Sequence, residues 1–357
     1  MLEIKELSFK IGSFELKNIN LIIDRNEYFV LLGRSGSGKT TLIKCISGLN
    51  KLAHGKVSLH AKDITNLEPE YRNIGYLPQN FALFPHLNVE NNILFGLKSR
   101  KPAKTEIKER LEKITNLLGI DNLLGRDVNN LSGGEKQKAA LARALVVYPD
   151  VLLLDEPFSS IDHGLRVELW FEVKEILKKL NIIVIHITHN LDEAYALADK
   201  IAVMIDGQVE QWGAKEEIFL KPKTENVALY QGIKNIYTGK VIDIRKEKVT
   251  IENGRFKIVA LKERDFNVGQ NVKFCIRPQD IKIIKTDLPV IDDLKDNLFE
   301  GEIGPYFFHN EVCIIKLKSV VDFELRFPIY IYQRYNFYPG KKIQIGIWQK
   351  GISVFDD

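Results

Sequence analysis

The sequence predicts an α/β domain built on a mostly parallel sheet, followed by a smaller all-β domain. Three observations carry that expectation. The apolar runs Tyr28 to Leu32, Val151 to Leu154, Ile182 to Ile187 and Ile201 to Met204 are continuous rather than alternating, as in strands buried on both faces. Between the second and third runs, Leu165, Leu169, Val173, Ile176, Leu177 and Leu180 recur at helical spacing among Lys and Glu, the pattern of an amphipathic helix laid on a sheet. Beyond about Gly232 the texture changes to short strands punctuated by turn residues.

Length and composition agree with two globular domains. The chain has 357 residues, 45% of them hydrophobic, more than one core of on the order of 150 residues normally uses. Its 51 Lys and Arg nearly balance 47 Asp and Glu, giving a net charge of +4, so no broad basic face is expected and nucleic acid is not an expected partner. The three cysteines, Cys45, Cys275 and Cys313, have no short spacing. They give no zinc or disulfide framework and are expected as small buried hydrophobes in a reducing compartment. Met1 to Lys5 alternates apolar and charged residues like a half-buried strand rather than a secretory leader. No apolar run approaches the roughly 20 residues that span a bilayer, so any membrane role is expected to work through a partner.

Residues 1–232 are expected to form the α/β domain. Within it, residues 80–147 read as almost wholly helical, with Ile107, Leu111, Ile114 and Leu118 on one face, and are taken as a helical insertion. Residues 233–357 carry expected strands at Lys240 to Ile244, Val249 to Ile251, Phe256 to Leu261, Val272 to Ile276, Val312 to Leu317 and Lys341 to Ile347. Asn253-Gly254 is a hairpin signal, and Asn267 to Gly269 and Pro339-Gly340 each introduce a further strand. A small barrel is the expected form, with two similar halves left open.

The chemistry is concentrated in three segments. Gly33, Arg34, Ser35, Gly36, Ser37, Gly38, Lys39 and Thr40 form a phosphate-binding loop between a strand and a helix beginning near Thr41. Its glycines let successive amides turn toward phosphate oxygens, and the helix N-terminus adds its positive dipole end. Lys39 is then placed for the β- and γ-phosphates of a nucleotide, and the Thr40 hydroxyl for Mg2+. The strand Val151 to Leu154 ends in Asp155 and Glu156, which puts Asp155 beside the metal and Glu156 a residue further, where an attacking water would stand. Ser132, Gly133, Gly134 and Glu135 open the apolar helix that follows and make a second anion-binding helix start. One nucleotide loop with two phosphate-binding elements suggests that two chains share each nucleotide.

On these residues the chain resembles the ATP-binding subunits of ABC transporters. The resemblance covers about residues 1–232 and rests on five motifs in family order. Beyond the three above, Gln79 matches the glutamine that senses Mg2+ and the lytic water. Ser159 to Asp162 is similar to the loop that crosses the dimer interface, and Ile185 to His189 to the switch strand, whose His189 is expected to contact the γ-phosphate. His186, inside that strand, reads as structural. The resemblance implies a P-loop NTPase fold, ATP and Mg2+ as ligands, a homodimer, and Glu156, His189 and Gln79 as the catalytic residues. Thr40, Gln79 and Asp155 are implied as metal-binding, and Asp162 as an interface residue.

Three positions depart from the family pattern. Lys138 replaces an arginine, His163 a proline, and Ile11 stands where an adenine-stacking aromatic is usual, with Phe9 or Phe14 as alternatives. Residues 79–87 resemble the importer segment that receives a helix of the transmembrane permease. Residues 274–281 are similar to the regulatory OB-like domains, of TOBE or MOP type, attached to importer ATPases. Within that segment, pairing of Arg277 with Asp280 is preferred over an oxyanion site. The layout looks most like molybdate or tungstate importer subunits, while sulfate, ferric iron, polyamine and sugar importers share nearly all of it. A peripheral place on the cytoplasmic face of the membrane, served indirectly by an extracellular solute-binding protein, is implied. A non-transport ATPase whose second domain binds nucleic acid is the different-class alternative.

Overall fold

The computed structural model describes residues 1–100, 102–159, 161, 163–285 and 289–356. It divides into two compact units, Met1–Lys215 and Glu216–Asp357. The expected division near residue 232 is thus moved back by a pair of short helices. Residues in and just after the second helix explain the shift: Ala228 and Ile233 bury against Cys275 and Phe355, and Gln231 Nε2 donates to Ile218 O at 2.6 Å.

In the first unit, β1 (Leu2–Ile11) and β2 (Phe14–Ile23) pair antiparallel. Then come β3 (Tyr28–Leu32), α1 (Lys39–Ser47), β4 (His54–Leu59), β5 (Lys62–Asp63) and β6 (Ile74–Leu77). The helical insertion comprises α2 (Val89–Arg100), α3 (Lys104–Leu118) and α4 (Gly133–Leu145). It is followed by β7 (Val151–Asp155), α5 (His163–Leu180), β8 (Ile183–Thr188), α6 (Leu191–Leu197), β9 (Lys200–Ile205) and β10 (Gln208–Ala214). The central sheet has the order β10-β9-β3-β8-β7-β6, parallel except for its β10 edge. A four-stranded antiparallel sheet, β2-β1-β4-β5, covers one side.

Burial on both faces is why these strands read as unbroken apolar runs. Phe29, Leu31, Val151, Leu153, Ile183, Ile185 and Ile187 join Leu42, Ile43 and Ile46 of α1 and Leu2, Ile4 and Leu21 of the antiparallel sheet in one core. Val30, Leu152, Leu154 and His186 are equally buried on the opposite face, where Val173 and Leu177 of α5 are also buried. The four strands expected for the central sheet each lie within a residue of their places. The insertion differs, because residues 79–88 are not helical. Asn92, fully buried on α2, accepts from Phe84 N at 2.8 Å and donates to Phe84 O, Leu87 O and Asn88 O at 3.0–3.1 Å. A side chain that satisfies four backbone groups of a loop offers that loop an alternative to helix. Among the described residues, no helix is long and apolar enough to cross a membrane.

The second unit takes in most of α7 (Lys215–Leu220), then α8 (Glu225–Tyr230), β11 (Ile236–Arg245), β12 (Lys248–Glu252), β13 (Lys257–Leu261), β14 (Asn271–Ile276) and β15 (Ile281–Ile284). It continues through α9 (Asp292–Lys295), β16 (Leu298–His309), β17 (Val312–Lys318), β18 (Phe323–Pro328), α10 (Ile329–Tyr335), β19 (Lys342–Ile347) and β20 (Ile352–Asp356). Two five-stranded antiparallel sheets result, β13-β12-β11-β14-β20 and β18-β17-β16-β19-β15. They share one core that includes Val249, Ile251, Phe274, Ile303, Ile315 and Leu325. The orders are equivalent position by position, so the unit is an internal duplication in which each half lends its last strand to the other sheet. The exchange occurs at matching tight turns, where Arg277 N donates to Gly351 O and Trp348 N to Asp280 O, both at 3.1 Å. Arg277 pairs with Asp280 there, as the sequence reading preferred. All three cysteines are buried and free.

A Cβ added at Gly351 would lie 2.2 Å from Asp280 Cβ, so the crossing admits only glycine. Gly351→Ala should cost the second unit about 1–3 kcal/mol of overpacking, read as a lowered urea midpoint at unchanged slope. An unaltered midpoint would show that the crossing is slack.

Candidate nucleotide-binding site

The parallel register determines which chain ends meet. Leu32 pairs with Thr188, Leu77 with Leu154, and Asp155 with Ile187, so the segments leaving β3, β6, β7 and β8 emerge at one edge of the sheet. The residues that follow those strands are Gly33, Gln79, Glu156 and His189.

The glycine-rich loop winds directly into α1. Gly36 and Gly38 have φ of 83° and 104°, values that exclude most other residues. The Lys39 side chain is buried and donates to Gly33 O at 2.7 Å and Arg34 O at 2.8 Å, so the loop is wrapped around its own ammonium group. Burial lowers the Lys39 pKa, and the carboxylates of Glu156 and Asp155 oppose that shift. Thr40 Oγ1 donates to Asp155 Oδ1 at 3.0 Å, and Tyr76 OH to Asp155 Oδ2 at 3.3 Å. Burial raises the Asp155 pKa, these two hydroxyls counter it, and the neighbouring Glu156 adds to it.

Glu156 is the centre of the arrangement. Its backbone is left-handed, φ 46°, and is held by Glu156 N donating to Ile187 O at 3.0 Å and by Ser159 Oγ donating to Glu156 O at 2.9 Å. Its carboxylate accepts from Gln79 Nε2 at 3.2 Å on Oε2 and meets His189 Nδ1 at 3.1 Å on Oε1. Such strain in a non-glycine residue is a mark of functional sites. Glu156 therefore touches both other expected catalytic residues, beside the expected metal-binding pair Thr40 and Asp155.

An open cavity of about 520 Å³ faces this cluster. Lys39, Thr40, Thr41, Gln79 and Glu156 are among its polar lining, and Ile11 and Phe14 are its apolar lining. Ile11 is 60% exposed, and the Phe14 ring is so close to the loop that a Cβ on Gly38 would lie 2.6 Å from its Cζ. Phe9 and Phe14 both pack against the core, but Phe9 does not line the cavity. The apolar wall is thus Ile11 and Phe14.

Ser132 caps α4 in a reciprocal box: Ser132 N donates to Glu135 Oε2 at 2.8 Å and Glu135 N to Ser132 Oγ at 3.3 Å. Those hydrogen bonds to Ser132, aided by Arg126, hold the Glu135 carboxyl below its ordinary pKa. This turn and Gly134 do not line the cavity; the fold does not bring them to the nucleotide loop of their own chain. Lys138 pairs with Glu172 at 2.6 Å. Asp162 lies outside the described residues, as does the His163 side chain. His186 is a buried structural residue, between Tyr28 OH at 2.8 Å and Glu193 Oε1 at 2.7 Å. Sequence reasoning missed Tyr76, since its value lies in a strand pairing that no local pattern announces.

An aspartate whose folded-state pKa is raised is favoured protonated. By itself it makes the ligand-free fold lose stability as pH rises from the ordinary carboxylate value through the raised one. Asp155→Asn, which keeps an acceptor for Thr40, should therefore raise the melting temperature of the ligand-free first unit by about 2–4 °C. A lowered melting temperature in a calorimetric scan would contradict the assigned cost of this charge.

Comparison with known proteins gives this geometry its family. The family model described as ABC transporter matches residues 16–159. The chain is 43% identical over 298 residues to the molybdate/tungstate import ATP-binding protein WtpC of Methanocaldococcus jannaschii, covering 78% of this chain and 99% of that one. It is 41% identical over 300 residues to the Fe(3+) ions import ATP-binding protein FbpC of Fusobacterium nucleatum, covering 83% and 79%. The solved dimer of the ATP-binding cassette MJ0796 bound to ADP and Pi is similar at 27% identity and a TM-score of 0.53, covering 60% of this chain and 99% of that one. The chain belongs to the ABC transporter family, as an ATP-binding subunit of the importer type and an ATPase coupled to transport.

Proposed function

We propose that two copies of this chain form the ATP-hydrolysing engine of an importer for an oxyanion, molybdate or tungstate. They dock on a transmembrane permease at the cytoplasmic face of the membrane, and the permease receives substrate from an extracellular binding protein. The contact that carries the catalytic part is Glu156 between Gln79 and His189, next to Thr40 and Asp155.

In this reading the loop Gly33 to Lys39 wraps the phosphates of ATP. Lys39 exchanges its two backbone acceptors for phosphate oxygens, and Ile11 and Phe14 offer an apolar wall to the base. Thr40 and Asp155 present a hydroxyl and a carboxylate 3.0 Å apart, an oxygen-donor pair suited to Mg2+, with Gln79 nearby. When bound, Mg2+ neutralises charge developing on the β- and γ-phosphates. Glu156 accepts a proton from, or orients, the water attacking the γ-phosphate in line, and His189 and Gln79 fix the carboxylate that does so. Ser132, Gly133 and Gly134 of one copy close over the nucleotide held by the other, since their own cavity leaves them out. The WtpC relative supports the oxyanion; the FbpC relative at similar identity makes ferric ion the second reading. The duplicated β-unit supports a regulatory domain of TOBE type.

Glu156→Gln should retain ATP affinity within about threefold, lower turnover at least about a hundredfold and leave an ATP-bound dimer on size-exclusion chromatography; unchanged turnover would falsify the role of Glu156. Substrate is tested by reconstituting the complex with binding proteins loaded with molybdate, tungstate or ferric ion. ATPase stimulation by molybdate or tungstate is expected, and stimulation by ferric ion alone would replace the oxyanion reading.

A further inference from the structure

The turn that carries Gln79 is held by a residue of the helix that begins at Ser132. Phe81 and Ala82 both have left-handed backbones, φ 60° and 46°, a conformation that two consecutive L-residues keep only when their surroundings enforce it. Arg143, in the last turn of α4, supplies the enforcement. Its Nη2 donates to Phe81 O and its Nη1 to Ala82 O, both at 2.7 Å, and its guanidinium carbon lies 5.4 Å from the centre of the Phe84 ring. Among the described residues no ion pair engages Arg143, so its planar fork is committed to these two carbonyls. Within the turn, Phe81 N donates to Pro78 O at 2.9 Å and Ala82 N to Asn80 O at 2.7 Å. Gln79 is therefore enclosed by a turn whose far end Arg143 fixes, and its amide reaches Glu156 at 3.2 Å.

We propose that Arg143 is a positioning residue that sets Gln79 against Glu156 by holding the left-handed turn at Phe81 and Ala82. On the dimer reading above, this has a further consequence. The N-terminus of α4 serves the partner's nucleotide, whereas its C-terminus, through Arg143, steadies the Gln79 that serves the chain's own. One rigid helix of thirteen residues thus ties the two nucleotide sites together.

A lysine has one ammonium in place of two parallel donors, so Arg143→Lys keeps the charge and loses the clamp. In steady-state ATP hydrolysis by the full-length chain, R143K should lower kcat about tenfold with KM for ATP changed less than about twofold. In a Gln79→Ala background the same substitution should change kcat less than about twofold, because the residue it acts through is gone. Equal losses in both backgrounds, or none in either, would overturn the proposal. A wild-type chain without ATPase activity would instead overturn the functional reading on which it rests. Should R143K not fold, hydrogen exchange of the unaltered, nucleotide-free chain decides. The Phe81 and Ala82 amides, bonded to Pro78 O and Asn80 O, should be protected, and their free exchange would refute a held turn.

Discussion

Parallel pairing of β3, β8, β7 and β6 is the constraint on which the rest of the site depends. Each strand contributes one chemical segment to one edge, and the pairing of Leu32 with Thr188 and of Asp155 with Ile187 leaves little freedom in where Gly33, Glu156 and His189 emerge. Strands buried on both faces cannot slip by one residue without turning a row of Leu, Ile and Val side chains to the wrong layer. The apolar core on either side of the sheet is consequently what holds Gln79 and His189 within hydrogen-bonding distance of Glu156.

That edge concentrates several unfavourable features. Lys39 and Asp155 are buried, and burial shifts both toward their neutral forms. Glu156, Phe81 and Ala82 all have left-handed backbones. Each is offset locally: Lys39 by two carbonyls, Asp155 by two hydroxyls, Glu156 by Ile187 and Ser159, and the turn at Phe81 by Arg143. On the proposed function, nucleotide phosphates would supply the opposite charge for Lys39 and Mg2+ that for Asp155, relieving the cost of burying them.

The second unit solves a different problem with a similar economy of elements. Two halves of one pattern exchange their last strands, so neither sheet is complete without the other half. The crossing packs Asp280 directly against Gly351, which is why one turn carries the Arg277–Asp280 pair and its counterpart carries a glycine. The duplication is nearly invisible in the residues, because packing demands only apolar alternation at matching positions. The division between the compact units falls nearer residue 215 than 232 for a related reason. The helices at Lys215–Leu220 and Glu225–Tyr230 carry no signal of which core they join, and burial of Ala228 and Ile233 beside Cys275 decides it.

The sequence by itself determined the identity of the chemistry. A loop of three glycines closing on Lys39 and Thr40, and an apolar strand ending in Asp155 and Glu156, need no partner to be recognised, because backbone freedom at glycine and continuous hydrophobicity are local properties. It also determined four of the six strands of the central sheet, since burial on both faces leaves its mark on every residue of a run. Only the tertiary structure decided that Gln79, Glu156 and His189 meet, that Tyr76 reaches Asp155, and that Arg143 clamps the turn after Gln79. Those contacts join residues far apart in the chain through strand order and helix packing, and neither quantity is encoded in any single segment.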